Sequence, residues 1–314
     1  MDHAPTPDLD PRDLRRLDGF GLATPADAYL RRPHRIEAVA DVLAEARTKG
    51  RRVVLRGAGR SYGDPSVRGE GIALDIGRMD RILDWDPATG LLDVEGGATF
   101  REIFRRVLPD GGGLAVVAGT LRASVAGGTM VDLHGKNNPR AGTLADRIEE
   151  FDAMAPDGSV HTVRRSDPAF GAIVGSLGLL AVVTRVRLRL DRWSSGRVRV
   201  VTRRSRDWDE TFAAFADLSA MEHRVAWIDP FHPAGRGVVQ GADHVCEDDP
   251  RSLDPDVQFG PPSPGKALVP TALNRVLTRA DLAPLTALRW RATREGTAQP
   301  TFHAFNCPLD SIPD

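Results

Sequence analysis

The stretch of this chain best suited to hold a phosphate is Arg56-Gly57-Ala58-Gly59-Arg60-Ser61-Tyr62-Gly63-Asp64. It directly follows the apolar run Val53-Val54-Leu55. Three glycines in seven residues after a buried strand let the backbone turn sharply and aim several N–H groups at one point. Successive amides facing a concavity bind phosphate, because their partial positive charges add without a side chain intruding. Arg56 and Arg60 add full charges with forked donors that match phosphate oxygens. The spacing is neither Gly-x-Gly-x-x-Gly nor Gly-x-x-x-x-Gly-Lys-Ser/Thr, so the dinucleotide-fold and P-loop signatures both fail. Two readings follow: a phosphate-bearing cofactor held in another fold, or an ordinary Gly-rich turn between strands.

Three later segments carry similar chemistry. Gly119-Thr120 and Ser124-Val125-Ala126-Gly127 offer a second set of small residues and N–H donors for close backbone approach. Asp132-Leu133-His134-Gly135-Lys136-Asn137-Asn138 sets a histidine beside a glycine, with a cation and two amides following. Phe170 through Val183 places Gly175 and Gly178 just before a strand. A flat, extended cofactor crossing several strand ends needs this kind of scattered small-residue contact. His134 reads either as a hydrogen-bonded structural residue or as a group beside a reacting ring. Lys136 reads either as a solvated lysine or as a charge that stabilises an anion.

The elements that must position these residues are legible in the pattern. Ile36, Val39, Ala40, Leu43 and Ala46 recur at helical spacing, and Gly50 is placed to end that helix. Strands are expected at Val53–Arg56, 72–75, 82–85, 91–95 and 114–117, with a capping box at Thr99 and Glu102 opening a helix. Residues 148–154 and 159–163 form a hairpin around Pro156-Asp157-Gly158, and Asp167-Pro168 starts a helix. Residues 181–190 make a long strand whose Arg185, Arg187 and Arg189 share one face, expected to be solvated. Residues 1–32, punctuated by prolines, are expected to be loosely structured. A second region begins near Asp191. There Trp208, Phe212, Phe215 and Leu218 suggest a helix face, and 224–228 and 237–240 suggest strands. Six prolines from 246 to 270 suggest a mobile loop.

Composition narrows the function classes. The 314 residues suffice for two domains or one large one. A net charge of −1 and the absence of aromatics interleaved along a basic stripe argue against nucleic acid as a partner. Cys246 and Cys307 are too few for a disulfide framework and have no metal-ligand spacing. The N-terminus does not read as a secretory signal, and the most apolar segment, 177–183, is too short to span a bilayer. A soluble, cytoplasmic protein is expected, with association to the cell envelope left open.

Taken in order, these segments resemble the FAD-binding domain of the vanillyl-alcohol-oxidase/p-cresol-methylhydroxylase (PCMH) superfamily, and within it the branch that oxidises the 2-hydroxyl of a lipid-linked ribose. The likeness runs from Arg16-Leu17-Asp18-Gly19-Phe20-Gly21, through Gly59-Arg60-Ser61-Tyr62-Gly63-Asp64 and Leu133-His134-Gly135-Lys136-Asn137, to about Leu190. Beyond that it thins to Ala226-Trp227-Ile228-Asp229 and Pro308-Leu309-Asp310. The resemblance implies an α+β chain. A two-part FAD-binding domain of the PCMH type would span 15–190, followed by a partial, mixed α+β substrate (cap) domain over 191–314. It implies that Arg56, Gly57, Ala58, Gly59, Arg60, Ser61, Tyr62 and Gly63 cradle the FAD diphosphate, and that Gly119, Ser124, Val125, Ala126 and Gly127 line its other side. His134, Gly135, Lys136 and Asn137 would lie near the flavin ring, with His134 and Lys136 as the catalytic candidates, and Val183 would give backbone contacts. Many members tether FAD through a histidine just before the serine of the Gly-rich loop; here Arg60 stands there, so non-covalent FAD is expected. The implied partners are a small or lipid-linked sugar and a quinone, oxygen or partner reductase as electron acceptor, with no metal. Two alternatives stay open: a nucleotide-sugar enoyl reductase of the same fold, and an FAD-binding remnant without turnover.

Overall fold

The computed structural model describes residues 9–22, 24–246, 248–260 and 279–311. The chain divides into two compact units, each built from separated segments. The first comprises Met1–Val107, Leu121–Leu133 and Thr143–Asp191; the second comprises Leu108–Thr120, His134–Gly142 and Arg192–Asp314.

In the first unit, strands β1 (Leu14–Leu17), β2 (Ala26–Arg31), β3 (Val53–Arg56) and β4 (Ile72–Asp75) form a sheet in the order β1-β2-β4-β3. Strands β2 and β3 both run parallel to β4, with Tyr29 and Val53 each in register with Ile72. Helix α1 (Ile36–Thr48) supplies the long connection that parallel strands need. It buries Val39, Val42, Leu43 and Ala46, and Gly50 takes the left-handed conformation just past its end, at φ 59°. The looseness expected through residue 32 is corrected by β1 and β2, which pair antiparallel from Leu14↔Tyr29 to Leu17↔Ala26. Pro11 and Pro25 fall outside both strands, where a missing N–H removes no ladder bond.

The second sheet of this unit has β5 (Ile82–Asp86), β6 (Leu91–Glu95), β7 (Ile148–Met154), β8 (Val160–Arg164) and β9 (Val182–Arg189) in the order β5-β6-β9-β7-β8, antiparallel throughout. Leu92, Val94, Phe151, Val186 and Leu188 are fully buried on one face. Helix α2 (Phe100–Val107) buries Phe100, Ile103, Phe104 and Val107. The Thr99–Glu102 box closes its first turn: Thr99 N–H donates to the Glu102 carboxylate at 2.7 Å, and Glu102 N–H donates to Thr99 Oγ1 at 3.3 Å. The opposite face of the sheet is not simply solvated. Arg185 bonds Asp93, Glu150 and Asp152 at 2.7, 2.8 and 3.0 Å, and Arg187 bonds Asp93 at 2.6 Å. Cross-strand register sets these opposite charges side by side, which is why the arginines alternate.

In the second unit, β10 (Val198–Ser205), β11 (His223–Ile228), β12 (Gly237–His244) and β13 (Gly296–Ala298) form an antiparallel sheet in the order β11-β12-β10-β13. The helix Trp208–Asp217 forms where expected, capped by Asp207, but only the Phe215 and Leu218 part of the expected face packs inward. Thr211, Ala214 and Leu218 turn inward, with Ala214 and Leu218 packed against Met221 and Val239, while Trp208 and Phe212 stand exposed. Residues 114–117 are buried yet form no strand. Side-chain amides take the carbonyls there: Asn137 Nδ2 donates to Ala115 O at 2.8 Å and Asn306 Nδ2 to Val117 O at 3.2 Å. Within the stretch expected to be a mobile loop, residues 250–258 hold two short helical turns begun by Pro250 and Pro255. Buried Gln258 pins them through bonds from its Nε2 to Gly196 O and Ser252 O at 2.8 and 2.6 Å. The remainder, 261–270, lies outside the described residues. Among the described residues no helix is long and apolar enough to cross a membrane.

Candidate functional site

Within the first unit, the Arg56–Gly63 loop leaves the carboxyl end of β3, an edge strand in a parallel pairing. Crevices beyond the carboxyl ends of parallel strands are where open α/β sheets bind ligands. Gly57 lies so close to the Ser124 hydroxyl that a Cβ there would overlap Ser124 Oγ. Gly59 sits at φ 65°, and its Cβ would run into the Arg56 guanidinium. Both positions therefore need glycine before any ligand is considered. Gly63 differs, since the nearest group to its absent Cβ is Pro65 Cδ at 3.8 Å.

Ser124 caps the helix Val125–Met130, its hydroxyl accepting from Gly127 N–H at 3.3 Å. Val125 and Ala126 are buried in the first turn. The structure thus brings Gly57 and Ser124–Gly127, 67 residues apart at their nearest members (124 − 57 = 67), into one neighbourhood. Val183 is buried within β9, and a Cβ on Gly96 would overlap its carbonyl.

The loop's support comes from a segment to which the sequence assigned likeness but no role. Arg56 Nη2 donates to Asp18 O at 2.8 Å. Cβ atoms on Gly19 or Gly21 would collide with the carbonyls of Ser61, Gly63 and Tyr62. The Phe20 ring meets the exposed Tyr62 edge-on at 5.5 Å, and the Arg60 guanidinium lies 5.9 Å over Phe20. Two glycines spaced by one residue were the available signal for this backbone-on-backbone packing.

This geometry provides a test of fit for an anionic cofactor. Arg56 Nη1 is buried and makes no hydrogen bond, although the same guanidinium is already anchored through Nη2. Burial also holds the Arg56 pKa below its ordinary value, opposed by Asp75 and Asp18. An unsatisfied, desolvated guanidinium N–H beside a glycine cradle suits a phosphate oxygen. The donor set fits.

Within the second unit, residues 134–137 are wedged between two other segments. His134 is exposed, and its Nδ1 lies 3.4 Å from Gly135 O. Gly135 leaves no room for a side chain, with Asn137 Oδ1 at 2.7 Å and Val117 O at 2.9 Å from its would-be Cβ. Lys136 Nζ donates to Phe305 O at 2.6 Å and Asn306 O at 3.0 Å, and lies 4.4 Å over the Phe305 ring. Asn137 is buried on Ala115 O. Gly119 has ordinary clearance from Leu309 at 3.5 Å. Asn306, absent from the sequence expectations, is buried with its Nδ2 on Val117 O and Ala118 O. No short-range pattern signals a contact over 189 residues.

Burial pushes the Lys136 pKa down to about 8 from an ordinary 10.5, with the Cys307 thiol acting weakly in the other direction. Between pH 8 and 10.5 the unfolded chain therefore holds a proton that the folded chain has released, so stability rises with pH across that window. The rise should reach about 3 kcal/mol. Urea midpoints at pH 8 and pH 10.5 should show it for the native chain and lose it for Lys136→Met. Equal slopes for both proteins would contradict the burial of the ammonium.

Part of the chain matches known proteins. Residues 27–164 match the family described as FAD binding domain, so the chain carries such a domain. Decaprenylphosphoryl-beta-D-ribose oxidase of Mycolicibacterium smegmatis is 29% identical over 225 residues, 70% of this chain and 49% of the relative. L-gulono-1,4-lactone dehydrogenase of Mycobacterium tuberculosis is 32% identical over 164 residues, 52% of this chain and 38% of the relative. Alditol oxidase of a Streptomyces species is 30% identical over 161 residues, 51% of this chain and 38% of the relative. The chain spans half or less of the length of these three relatives.

Proposed function

We propose that the FAD binding domain carried by residues 27–164 serves the oxidation of a sugar or polyol hydroxyl, with FAD held non-covalently. The observation that carries this reading is the glycine cradle at Gly57 and Gly59, closed by Ser124 and backed by the unpartnered Nη1 of Arg56. The names of three relatives, a ribose oxidase, a gulonolactone dehydrogenase and an alditol oxidase, support the substrate class.

In this reading the amides from Arg56 to Gly63 hold the diphosphate, and the Arg56 and Arg60 charges neutralise it. Ser124 to Gly127 give close backbone contact, and Val183 supplies backbone polar groups. Gly119 and His134 to Asn137 are the further flavin residues that the sequence likeness suggests. Bound FAD supplies the two-electron acceptor for the alcohol carbon, while the hydroxyl proton goes to a base. Lys136, with its pKa near 8, provides positive charge at neutral pH where negative charge develops. Arg60 occupies the position at which many members carry the tethering histidine, and a guanidinium does not form that link.

The deciding experiment is the visible spectrum of the purified protein, before and after anaerobic addition of alditols, aldonolactones and a lipid-linked pentose. Bleaching by a hydroxylated donor is expected. Bleaching by NADPH alone would favour the reductive chemistry of the same fold, and colourless protein that takes up no FAD would end the proposal. On acid precipitation the yellow colour should stay in the supernatant; colour in the pellet would refute the non-covalent assignment.

A further inference from the structure

Beside Lys136 and Asn137, the sheet of the second unit carries two histidines and a carboxylate arranged as a ligand set. On β11 and β12, His223 is in register with Ala242, and His244 stands two residues further along. The pleat puts both side chains on one face as diagonal neighbours, with ring centroids 5.5 Å apart. Glu222 enters the same cluster from the start of β11, where its backbone N–H donates to Asp243 Oδ1 at 2.8 Å. We propose that Glu222, His223 and His244 form a binding site for a divalent zinc-type metal ion, in a three-ligand set completed by water.

The ligand atoms of the three residues all lie within 4.8 Å of one another. Glu222 Oε1 stands 3.4 Å from His223 Nε2. A tetrahedral ion with bonds of about 2.0–2.1 Å places its ligands about 3.3–3.4 Å apart, so this edge already has the required length.

A second observation points independently to a missing partner. His223 is 3% exposed, and both of its ring nitrogens are buried without a hydrogen bond, as is Nδ1 of His244. Buried polar atoms are almost always satisfied, so three orphaned ring nitrogens in one cluster call for a partner. A cation accepting an imidazole lone pair from each ring supplies what the protein groups do not.

The surroundings hold the two rings in place and leave Glu222 as the solvent-facing member. Trp193 packs on His244 at 4.4 Å, and Phe302 lies nearly parallel to it at 5.3 Å. Phe302 and Phe305 border His223 at 5.8 and 6.1 Å. Asn137 Nδ2 donates to Glu222 Oε1 at 3.4 Å, a longer bond of the kind that orients a ligating carboxylate from behind. Lys136 is the cation whose charge acts on His223, and its ammonium is directed at the Phe305 and Asn306 carbonyls. Two imidazoles and one carboxylate select zinc, cobalt, nickel or copper over magnesium or calcium, which prefer all-oxygen sites.

The test titrates Zn²⁺ into full-length protein stripped with EDTA and dialysed, following heat by calorimetry. One ion per chain is expected. His244→Phe and His223→Phe keep an aromatic ring in the cluster and remove only the ligand; each should weaken binding about a hundredfold. Glu222→Gln, at the solvent edge, should weaken it about tenfold or more. Co²⁺ in the native chain should give the strong visible absorption of a four-coordinate site, lost in His244→Phe. Circular dichroism and flavin content report whether each variant is folded. Absence of stoichiometric Zn²⁺ binding by the native protein would overturn the proposal. So would unchanged affinity in folded His244→Phe and Glu222→Gln, which would mean that the ion sits elsewhere.

Discussion

Gly57→Ala should strip the protein of flavin and soften its first unit, whereas Gly63→Ala should remove flavin alone. The added methyl at 57 overlaps Ser124 Oγ, a buried hydroxyl fixed on the first turn of Val125–Met130. Relieving such an overlap moves the loop or the helix and typically costs about 1–3 kcal/mol, or about 10- to 100-fold in affinity for anything the loop holds. At 63 the methyl meets nothing closer than 3.8 Å within the protein, so the fold tolerates it. A loss of affinity there reports a ligand lying against the loop. The ratio of flavin to protein absorbance and a thermal unfolding curve read the two effects separately. Gly57→Ala combined with Ser124→Ala should recover part of the stability, because the nearest remaining atom, Ser124 Cβ, stands at 3.2 Å. Full occupancy in both single variants would show that the cradle does not touch the cofactor.

Asp229→Ala should destabilise the second unit by about 3–5 kcal/mol, the cost of leaving one member of a buried ion pair alone. The Asp229 side chain is wholly inaccessible, and Arg236 grips it with Nε and Nη2 at 2.9 and 2.7 Å. A backbone bond from Asp229 N–H to Arg236 O at 2.9 Å and one from Phe231 N–H to the carboxylate at 3.1 Å close the same β11–β12 turn. Removing only the carboxylate strands a guanidinium that is itself mostly covered, so Asp229→Ala paired with Arg236→Met should recover stability. Burial opposes ionisation of Asp229, but hydrogen bonds from Arg236 and Thr286 outweigh it and hold its pKa below the usual carboxylate value. The pair's contribution is therefore complete above the unfolded carboxylate pKa and fades as pH falls through the lower folded value. Urea titrations at neutral and acid pH should find the native chain and Asp229→Asn converging on acidification. A constant gap would contradict the role of the charge.

How much of this could be read in advance varies with the range of the interaction. The strand Val53–Arg56, the helix from Ile36 and the Thr99–Glu102 box are local patterns, and the structure repeats them nearly residue for residue. The glycines of the 56–63 loop announced close packing, but not that Ser124 is what they pack against. Residues 114–117 misled because four apolar residues in a row fit a buried strand and a buried coil equally. Only Asn137 and Asn306, remote in sequence, decide between the two. Trp208 and Phe212 are among the most hydrophobic residues of their helix, but Ala214 and Thr211 fit close to the sheet and the two larger rings do not. Asp229 drew notice through its Trp-Ile-Asp setting, and its partner Arg236 became evident only with the hairpin formed. His223 and His244 are twenty-one residues apart (244 − 223 = 21) and show no ligand spacing; strand register alone unites them.

The interleaving of the two units bears on how the chain is made. Residues 108–120 and 134–142 leave the ribosome early, yet they belong with residues beyond 192. Asn306, which satisfies the carbonyls of Val117 and Ala118, emerges 189 residues after the first of them. Until then those apolar residues wait without their amide partners, and contacts of such long sequence separation form slowly. Vectorial synthesis thus leaves a window in which Leu114, Val116 and Val117 are open to chaperones or to aggregation, and stalled translation before Asn306 would prolong it.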